Sequence, residues 1–371
     1  MIRWCLTSTG IDEIESELKS LGLGNEGTRS EKVFKLMSQI MIDKKANNGF
    51  KMSLFSYNDR HGWGKEITHT MQKISGVECK LFKDPKIILN KSGTVVFMHP
   101  DHLNNRDSDK EIIRSFGSLR ITTTIIPSIR ELDIYDEKIK QTDLFGDWLP
   151  ETNYFCDRKS AEVFLDECEF PIISKSNEGA GSSNVRMINS IEEAHDELER
   201  VFSGRGMPRY TKPSMEKRGK KNFQRGYVLW QDFLDGNEND WRVVMIGRRY
   251  AWIVKRLNRK DLPFASGSGI AQSITKLSAE VEELLEYSYS FADEFSLEFT
   301  GIDIIRGKNG QPKVLETTTG WPIKGSFGEM AFESTVFVRT ENLGWEPTIF
   351  KGADLWKIAS LAIIGKFSGE I

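Results

Sequence analysis

Residues 299–322 constrain the fold more strongly than any other stretch of the sequence. In FTGIDIIRGKNGQPKVLETTTGWP, two apolar runs at 301–306 and 313–317 flank the dipeptide Asn309-Gly310. This dipeptide is typical of a two-residue type I′ turn, because both central positions of that turn adopt positive φ. The stretch therefore predicts a β-hairpin.

The predicted register places two carboxylates face to face. Asp303 lies opposite Glu316, Val314 lies opposite Ile305, and Pro312 falls in a non-hydrogen-bonded pair, where its missing N–H costs nothing. Like charges directly opposite each other are destabilising, so a cation is expected between them. A hard divalent ion with oxygen ligands, usually Mg²⁺ with phosphates, fits this need. The alternatives are a protonated carboxylate, a Lys or Arg partner, or a different register.

Length, charge and cysteine usage set the broad class. A chain of 371 residues can form two or three subdomains. The net charge of −3 argues against a nucleic-acid binder overall, although it permits a local basic patch. No apolar run approaches the ~20 residues that span a bilayer, and the first residues lack the apolar core of a signal peptide. The cysteines have no CxxC spacing, so we expect neither zinc nor a disulfide framework, and a cytoplasmic setting.

The pattern of apolar residues divides the chain into four segments. Residues 1–50 are expected to form a helical extension, and alternating strands and helices in 51–134 predict a small α/β domain with a largely parallel sheet. The pattern changes after this segment, and we place two further units at 135–235 and 236–371. Within the last unit, 323–352 is expected to be rich in loops.

Two loops are compatible with anions. A short apolar strand ending at Lys175 precedes the Gly/Ser-rich loop 177–184, whose small residues let backbone N–H groups approach an anion. A plain flexible turn is the alternative. Residues 205–225 hold eight basic residues against one acidic residue. This basic loop is either a solvated segment or a site that captures a nucleotide, a nucleic acid or an acidic substrate.

The order of these parts resembles the ATP-grasp superfamily. A Lys-bearing helix, the strand ending at Lys175, the Gly-rich loop, the strand with QDFL, two Arg-bearing strands and the Asp–Glu hairpin follow one another across about 130–325. Within that superfamily, the chain is similar to the ribosomal-protein glutamate ligase and glutathione synthetase-like branch. The resemblance implies a mixed α/β and α+β fold, in which two α+β subdomains sandwich ATP behind a small α/β domain.

The resemblance also implies roles for particular residues. Lys138 and Lys175 match lysines that contact ATP. The matched loop over the triphosphate spans Gly179 to Ser183, including Gly181 and Ser182. The strand that holds adenine matches Gln231, Asp232, Phe233 and Leu234. Asp240 falls near the position that often holds the ribose, Arg242 and Arg256 match arginines near the substrate and the transferring phosphate, and Asp303, Glu316 and Thr318 match the metal ligands.

Two positions depart from the family pattern. Thr318 stands where the family has an asparagine ligand, which puts the second metal ion in question. The usual asparagine in the loop after the second Arg strand is expected to be missing, with Ser266 or Ser268 in its place.

The implied function is ATP-dependent ligation of a carboxylate to an amine through an acyl phosphate, with one or two Mg²⁺ ions and release of ADP and phosphate. A carboxylate donor such as an amino acid is expected, and the acceptor can be a peptide, a protein or a nucleic acid. A nucleotide-binding regulatory protein is the non-catalytic alternative. No membrane partner is expected, and a homo-oligomer stays open.

Overall fold

A computed structural model describes most of the chain. The described residues are 10–46, 53–57, 62–75, 77–83, 94–97, 99, 106–117, 124–179, 184–208, 223–260, 263–266, 268–319, 329–340 and 344–368. Gly181, Ser182, Ser183 and residues 209–222 of the basic loop lie outside them, so the predictions for these residues are untested.

Helices lie between most of the strands in the first part of the chain, whereas several strands follow one another directly in the later part. The helices are α1 (Ile11–Ser20), α2 (Arg29–Ala46), α3 (Trp63–Ser75), α4 (Arg106–Gly117), α5 (Ile129–Ile134), α6 (Lys138–Phe145), α7 (Arg158–Leu165), α8 (Ile191–Phe202), α9 (Ala279–Glu294) and α10 (Leu355–Ser368). The strands are β1 (Ser53–Tyr57), β2 (Glu78–Phe82), β3 (Thr94–Phe97), β4 (Thr124–Ile126), β5 (Thr152–Phe155), β6 (Ile172–Lys175), β7 (Val185–Ile188), β8 (Met207–Pro208), β9 (Phe223–Gln224), β10 (Val228–Asp232), β11 (Asn239–Ile246), β12 (Tyr250–Leu257), β13 (Ala271–Ser273), β14 (Phe299–Arg306), β15 (Pro312–Thr318), β16 (Thr335–Arg339) and β17 (Trp345–Lys351).

The first sheet is parallel and has the strand order β2-β1-β3-β4. Helix α3 crosses from β1 to its parallel neighbour β2 and buries Trp63, Ile67, Met71 and Ile74, which recur at helical spacing along one face. Parallel neighbours need such a crossover because their ends lie at opposite edges of the sheet. The predicted α/β unit with a largely parallel sheet is confirmed.

The second sheet is antiparallel, with the order β5-β10-β6-β7. Helices α7 and α8 cover one face of this sheet, where Ala161, Leu165, Leu198 and Trp230 form part of a buried apolar cluster. Because side chains alternate between the two faces of a strand, the opposite face keeps polar residues such as Lys175 and Gln231. That face points toward the third sheet and forms one wall of a cavity.

The third sheet has the order β15-β14-β11-β12-β16-β17, with β13 paired to β12. One face packs on α9 through a buried cluster that includes Val243, Ile253 and Leu284. The other face is divided along its length. Its apolar end, with Val244 and Trp252, joins the core beneath α10, while its polar end carries the charged residues of the candidate site.

Helix α10, which comes late in the chain, packs against α2 and α3 from its first part. The buried side chains of α10 share one core with those of α1 and α2. The rings of Phe34 and Phe350 stack with their centroids 4.3 Å apart. Helices α1 and α2 are therefore packed into the body of the molecule. The expectation that 323–352 is rich in loops is wrong for 335–339 and 345–351, which form β16 and β17.

The hairpin of β14 and β15 differs from its predicted register at two points that compensate for each other. The turn has three residues instead of two, because Gly307 N donates to Gln311 O at 2.7 Å and only Gly310 has positive φ. This shift places Val314 opposite Ile304, so the predicted pairing with Ile305 is wrong. A β-bulge then restores the pairing of Asp303 with Glu316.

Candidate active site

A cleft of about 910 Å³, including the space open to solvent, lies between the second and third sheets. Its polar lining residues are Lys138, Lys175, Ser176, Glu178, Asn184, Gln231, Asp232, Asn237, Asn239, Asp240, Asn258, Ser266, Asp303 and Glu316. Its apolar or glycine lining residues are Ile173, Gly179, Val185, Phe233, Leu234, Pro263, Phe264, Ala265, Ile305 and Leu315. This mixture of apolar side chains and converging polar groups is typical of a small-molecule binding site.

The wall formed by the second sheet presents one cation, Lys175. Its Nζ donates to Oε1 of Gln231 at 2.6 Å, and the Gln231 amide in turn donates to Oγ1 of Thr152 at 2.7 Å. Burial lowers the pKa of Lys175 to about 8, and the nearby charge of Lys138 acts in the same direction, while Glu316 and Asp303 oppose the change. An anion bound beside Lys175 would raise this pKa again.

The wall formed by the third sheet holds four charged residues in mutual contact. Arg242 lies directly opposite Asp303 on β14, and its Nε and Nη2 both donate to that carboxylate, Nη2 at 2.8 Å. Arg256 donates to the two oxygens of Asp240 at 2.6 and 2.7 Å. Nη2 of Arg256 also lies 2.9 Å from Oδ2 of Asp303, so the two pairs form one network.

Burial and pairing act in opposite directions on the pKa values of this network. Burial alone would raise the pKa of Asp303, but the two guanidinium groups lower it. For Asp240, burial dominates and raises the pKa despite the contact with Arg256. Burial opposes the charge of Arg256, while Asp240 and Asp303 outweigh it and raise the pKa. The network is therefore compensated within the protein.

Glu316 is the more accessible carboxylate of the hairpin pair. Its side chain is 27% exposed, against 3% for Asp303, and its Oε2 lies 3.2 Å from Nζ of Lys138. The β-bulge lies at Leu315, and both Leu315 and Glu316 line the cleft although they are consecutive residues. A bulge redirects side chains in this way, because two residues on one strand oppose one residue on the other.

Helix α6 fixes the edge strand that carries Glu316. The side chain of Gln141 donates to Thr317 O at 3.1 Å and accepts from Thr317 N at 2.9 Å, as a neighbouring strand would. Lys138, one turn earlier on the same helix, reaches Glu316 and also donates to Gly179 O at 3.0 Å. Gly179 has φ of 132°, which favours glycine, and a Cβ there would lie 2.9 Å from Nδ2 of Asn184.

The segment between β10 and β11 is held by an asparagine that the sequence analysis missed. Nδ2 of Asn237 donates to Leu234 O at 3.0 Å and to Arg306 O at 2.9 Å, so it ties the segment to the hairpin. Asn258 donates to Asn237 O at 2.7 Å. Asn258 follows the Arg-bearing strand β12 and lines the cleft, so the expectation that this region lacks an asparagine is wrong.

The structure brings most of the predicted site residues together around one cleft. Those in its lining are Lys138, Lys175, Gly179, Gln231, Asp232, Phe233, Leu234, Asp240, Asp303 and Glu316. Arg242, Arg256 and Thr318 are described residues outside this lining. The two arginines lie behind it and hold its carboxylates. Thr318 pairs with Gly301 on β14, where a Cβ would meet its Cγ2 at 3.0 Å.

The carboxylates leave limited room for a metal ion. Among the residues that the structure describes, no group of three His, Cys, Asp or Glu side chains is suited to a metal. Asp303 already accepts from three guanidinium N–H groups, and a carboxylate offers about four acceptor positions. One position of Asp303 together with Glu316 fits a Mg²⁺ ion that takes its remaining ligands from phosphates and water.

No family model and no curated protein matches the chain in sequence. Among solved structures, D-cycloserine synthetase DcsG matches with a TM-score of 0.52 and 10% identity, over 86% of this chain and 100% of that chain. D-alanine–D-alanine ligase from Bacillus anthracis matches with a TM-score of 0.49 and 14% identity, over 86% and 97% of the two chains. The ATP-grasp ligase PsnB, complexed with precursor peptide and AMPPNP, matches with a TM-score of 0.47 and 16% identity, over 74% and 90%.

The chain has the ATP-grasp fold. The parallel sheet at its beginning precedes two units with antiparallel sheets, as the order of the sequence motifs predicted. Within the described part of the chain, no helix combines the length and apolar character needed to cross a membrane.

Proposed function

We propose that the chain is an ATP-dependent ligase that activates a carboxylate as an acyl phosphate and passes the acyl group to an amine. One observation carries the proposal: the lining of one cleft combines apolar side chains, two lysines and a pair of adjacent carboxylates. This combination suits phosphoryl transfer, which depends on positioning and charge neutralisation more than on a covalent nucleophile.

The apolar end of the cleft suits the adenine ring. Ile173, Phe264, Ile305 and Leu315 line it from both walls and from the loop after β12. The backbone of residues 232–234, between the two sheets, is suited to bind the edge of the base. Because Asp240 is held by Arg256, the amides of Asn239 and Asn258 are better placed than the Asp240 carboxylate to bind ribose hydroxyls.

The polar end suits the phosphates. Lys175 supplies a cation that donates to the neutral amide of Gln231, and Lys138 supplies a second cation beside Gly179 of the Gly-rich loop. Mg²⁺ held by Glu316 and Asp303 would neutralise phosphate charge when bound. Arg242 and Arg256 keep Asp303 ionised, since their charges lower its pKa against burial.

In the proposed reaction, a carboxylate oxygen attacks the γ-phosphorus of ATP, and the bond from that phosphorus to the bridging oxygen of ADP breaks. An amine then attacks the acyl carbon and inorganic phosphate leaves. The two lysines stabilise charge on the phosphate oxygens and keep the reacting atoms aligned. An amino acid is the donor class we propose, and DcsG, which shares the fold, is by its name a synthetase of a small molecule.

The first experiment measures the products of ATP turnover. The full chain is incubated with ATP, Mg²⁺ and pooled amino acids, with hydroxylamine as a general amine acceptor. We expect ADP, phosphate and amino-acid hydroxamates, detected by mass spectrometry. Glu316→Gln should lower the rate by about 10²-fold or more, because it removes charge neutralisation at the transferring phosphate.

The matched control is Asp293→Asn, which removes a carboxylate that pairs with Arg248 outside the cleft. Its rate should equal that of the wild type. Formation of AMP and pyrophosphate would contradict the acyl-phosphate route. Thermal stabilisation by AMPPNP without any product would support a nucleotide-binding regulatory protein instead.

A further inference from the structure

Lys110, on helix α4 of the N-terminal unit, is a buried lysine that the proposed mechanism does not use. It is only 2% exposed, and its Nζ donates to Asp133 O at 3.0 Å, Tyr135 O at 2.6 Å and Glu137 Oε1 at 3.2 Å. An ammonium group has three N–H donors, so it can make these three contacts at once. All three acceptors lie in residues 133–137, which we call the connector because it joins α5 to α6.

The opposite side of the connector holds the loop that follows β6. Oε2 of Glu137 accepts from Nδ2 of Asn177 at 2.8 Å, so one carboxylate bridges Lys110 and Asn177. The carboxylate of Asp136 accepts from Gly179 N at 2.7 Å. Asn177 also accepts from the backbone of α6, through its O from Lys138 N at 3.0 Å. The connector therefore fixes residues 177–179 from several directions.

The contacts of Lys110 flank a residue of the connector with positive φ. Asp136 has φ of 55°, a left-handed conformation that residues other than glycine adopt uncommonly, Asp and Asn more readily than the rest. Lys110 holds the carbonyl of Tyr135 immediately before this residue and the side chain of Glu137 immediately after it. The next residue, Lys138, carries the ammonium that reaches Glu316 and Gly179 O. A change at Lys110 is therefore transmitted to the site through a few bonds.

We propose that Lys110 is a positioning residue of the nucleotide site, which acts through Glu137 and Asn177 to set the position of residues 177–179 and of Lys138. Through this contact the N-terminal α/β unit becomes part of the nucleotide site although it does not line the cleft. The inference rests on the proposed function, because it requires that the cleft bind a nucleotide.

The experiment measures the dissociation constant of AMPPNP with Mg²⁺ by calorimetry on the full chain. Lys110→Met should weaken binding about tenfold, which is the scale of coupling within one hydrogen-bond network. The matched control is Lys140→Met. Lys140 donates to Oδ2 of Asp133 at 3.0 Å, so it contacts the same connector, but it is 41% exposed and its partner in this contact is neither Glu137 nor Asn177. Its affinity should equal that of the wild type.

A double-mutant cycle separates positioning from a general structural role. Asn177→Ala should also weaken the binding of AMPPNP. The double variant Lys110→Met/Asn177→Ala should have the same dissociation constant as the single variant that binds AMPPNP less tightly. Fully additive losses would overturn the proposal, since independent residues add.

Glu137→Gln decides the question if Lys110→Met does not fold. The amide oxygen can still accept from Lys110, whereas the amide nitrogen cannot accept from Asn177. Weakened binding in a folded Glu137→Gln variant supports the proposal, and wild-type binding overturns it. If the wild-type chain does not bind AMPPNP, the proposed function fails as well; if the wild type binds and the variants bind equally, only this inference fails.

Discussion

The two walls of the cleft manage charge in different ways. On the wall formed by β11, β12 and β14, Arg242, Arg256, Asp240 and Asp303 satisfy one another in a buried network. On the wall formed by β6 and β10, Lys175 contacts the neutral amide of Gln231, and burial lowers its pKa to about 8. One wall is compensated before a ligand arrives, and the other gains its compensation from the ligand.

This difference separates stability from binding. Removal of one member of a compensated buried network leaves its partners charged and unpaired, which costs folding free energy. Removal of a cation that burial already disfavours relieves the folded state and costs only ligand affinity. The predictions below test this contrast, from the largest effect to the smallest.

Asp303→Asn should have the largest effect. It leaves the guanidinium groups of Arg242 and Arg256 without their shared carboxylate, and breaking a buried ion pair costs roughly 3–5 kcal/mol. We expect a lower midpoint of urea unfolding together with loss of ATP turnover. The pair of Arg248, which is partly exposed, and Asp293, which is exposed, provides the comparison, since Asp293→Asn should change the unfolding free energy by about 0.5 kcal/mol or less. An Asp303→Asn variant as stable as the wild type would contradict the inference that the charges on this wall compensate one another.

Lys175→Met should show the opposite combination. The dissociation constant of AMPPNP should rise about 10–100-fold, since a hydrogen bond to a charged group contributes about 1.5–3 kcal/mol. The unfolding free energy should be unchanged or higher, because burial disfavours the lysine charge in the folded protein. Calorimetry and urea unfolding measure the two quantities on one sample. Strong destabilisation with intact affinity would mean that the walls have been assigned the wrong roles.

The pH dependence of binding should give the smallest effect. Lys175 loses its proton as the pH rises through about 8, so the affinity for AMPPNP should fall above that pH, by less than about tenfold per pH unit. Between pH 8 and the ordinary lysine value of 10.5, the unfolded chain binds the proton more tightly than the folded chain. The contribution of Lys175 to the unfolding free energy therefore rises with pH across that window.

Lys175→Met provides the control for this titration. Both pH dependences should be reduced in the variant, because the group that titrates is absent. An affinity that falls equally in the wild type and the variant would assign the pH dependence to another group.

The sequence predicted local pairings better than distant ones. The hairpin was predicted from its short turn, and the predicted pairing of Asp303 with Glu316 holds because the bulge at Leu315 offsets the third turn residue. The contact of Arg242 with Asp303 depends on sheet pairing between strands far apart in the chain, which no turn specifies. The order of motifs predicted the fold because the motifs extend over about 130–325 and so constrain many helices and strands at once.

Other features of the site had no local signal in the sequence. Asn237 is one asparagine in a polar loop, and its role follows from where the hairpin ends. Lys110 is one lysine on an amphipathic helix, and its burial depends on the connector that packs over it. Both residues act through contacts that only the assembled sheets create.

The hairpin of β14 and β15 contains two one-residue insertions relative to a hairpin with a two-residue turn and no bulge, one in the turn and one at Leu315. The third turn residue moves every later side chain to the opposite face, and the extra residue at Leu315 moves Glu316 back. Because strand side chains alternate with a period of two, either change alone would direct the Glu316 carboxylate toward α9. The lengths of the turn and of the strand are therefore linked, and this hairpin can gain or lose a residue without losing its carboxylate pair only when both change together.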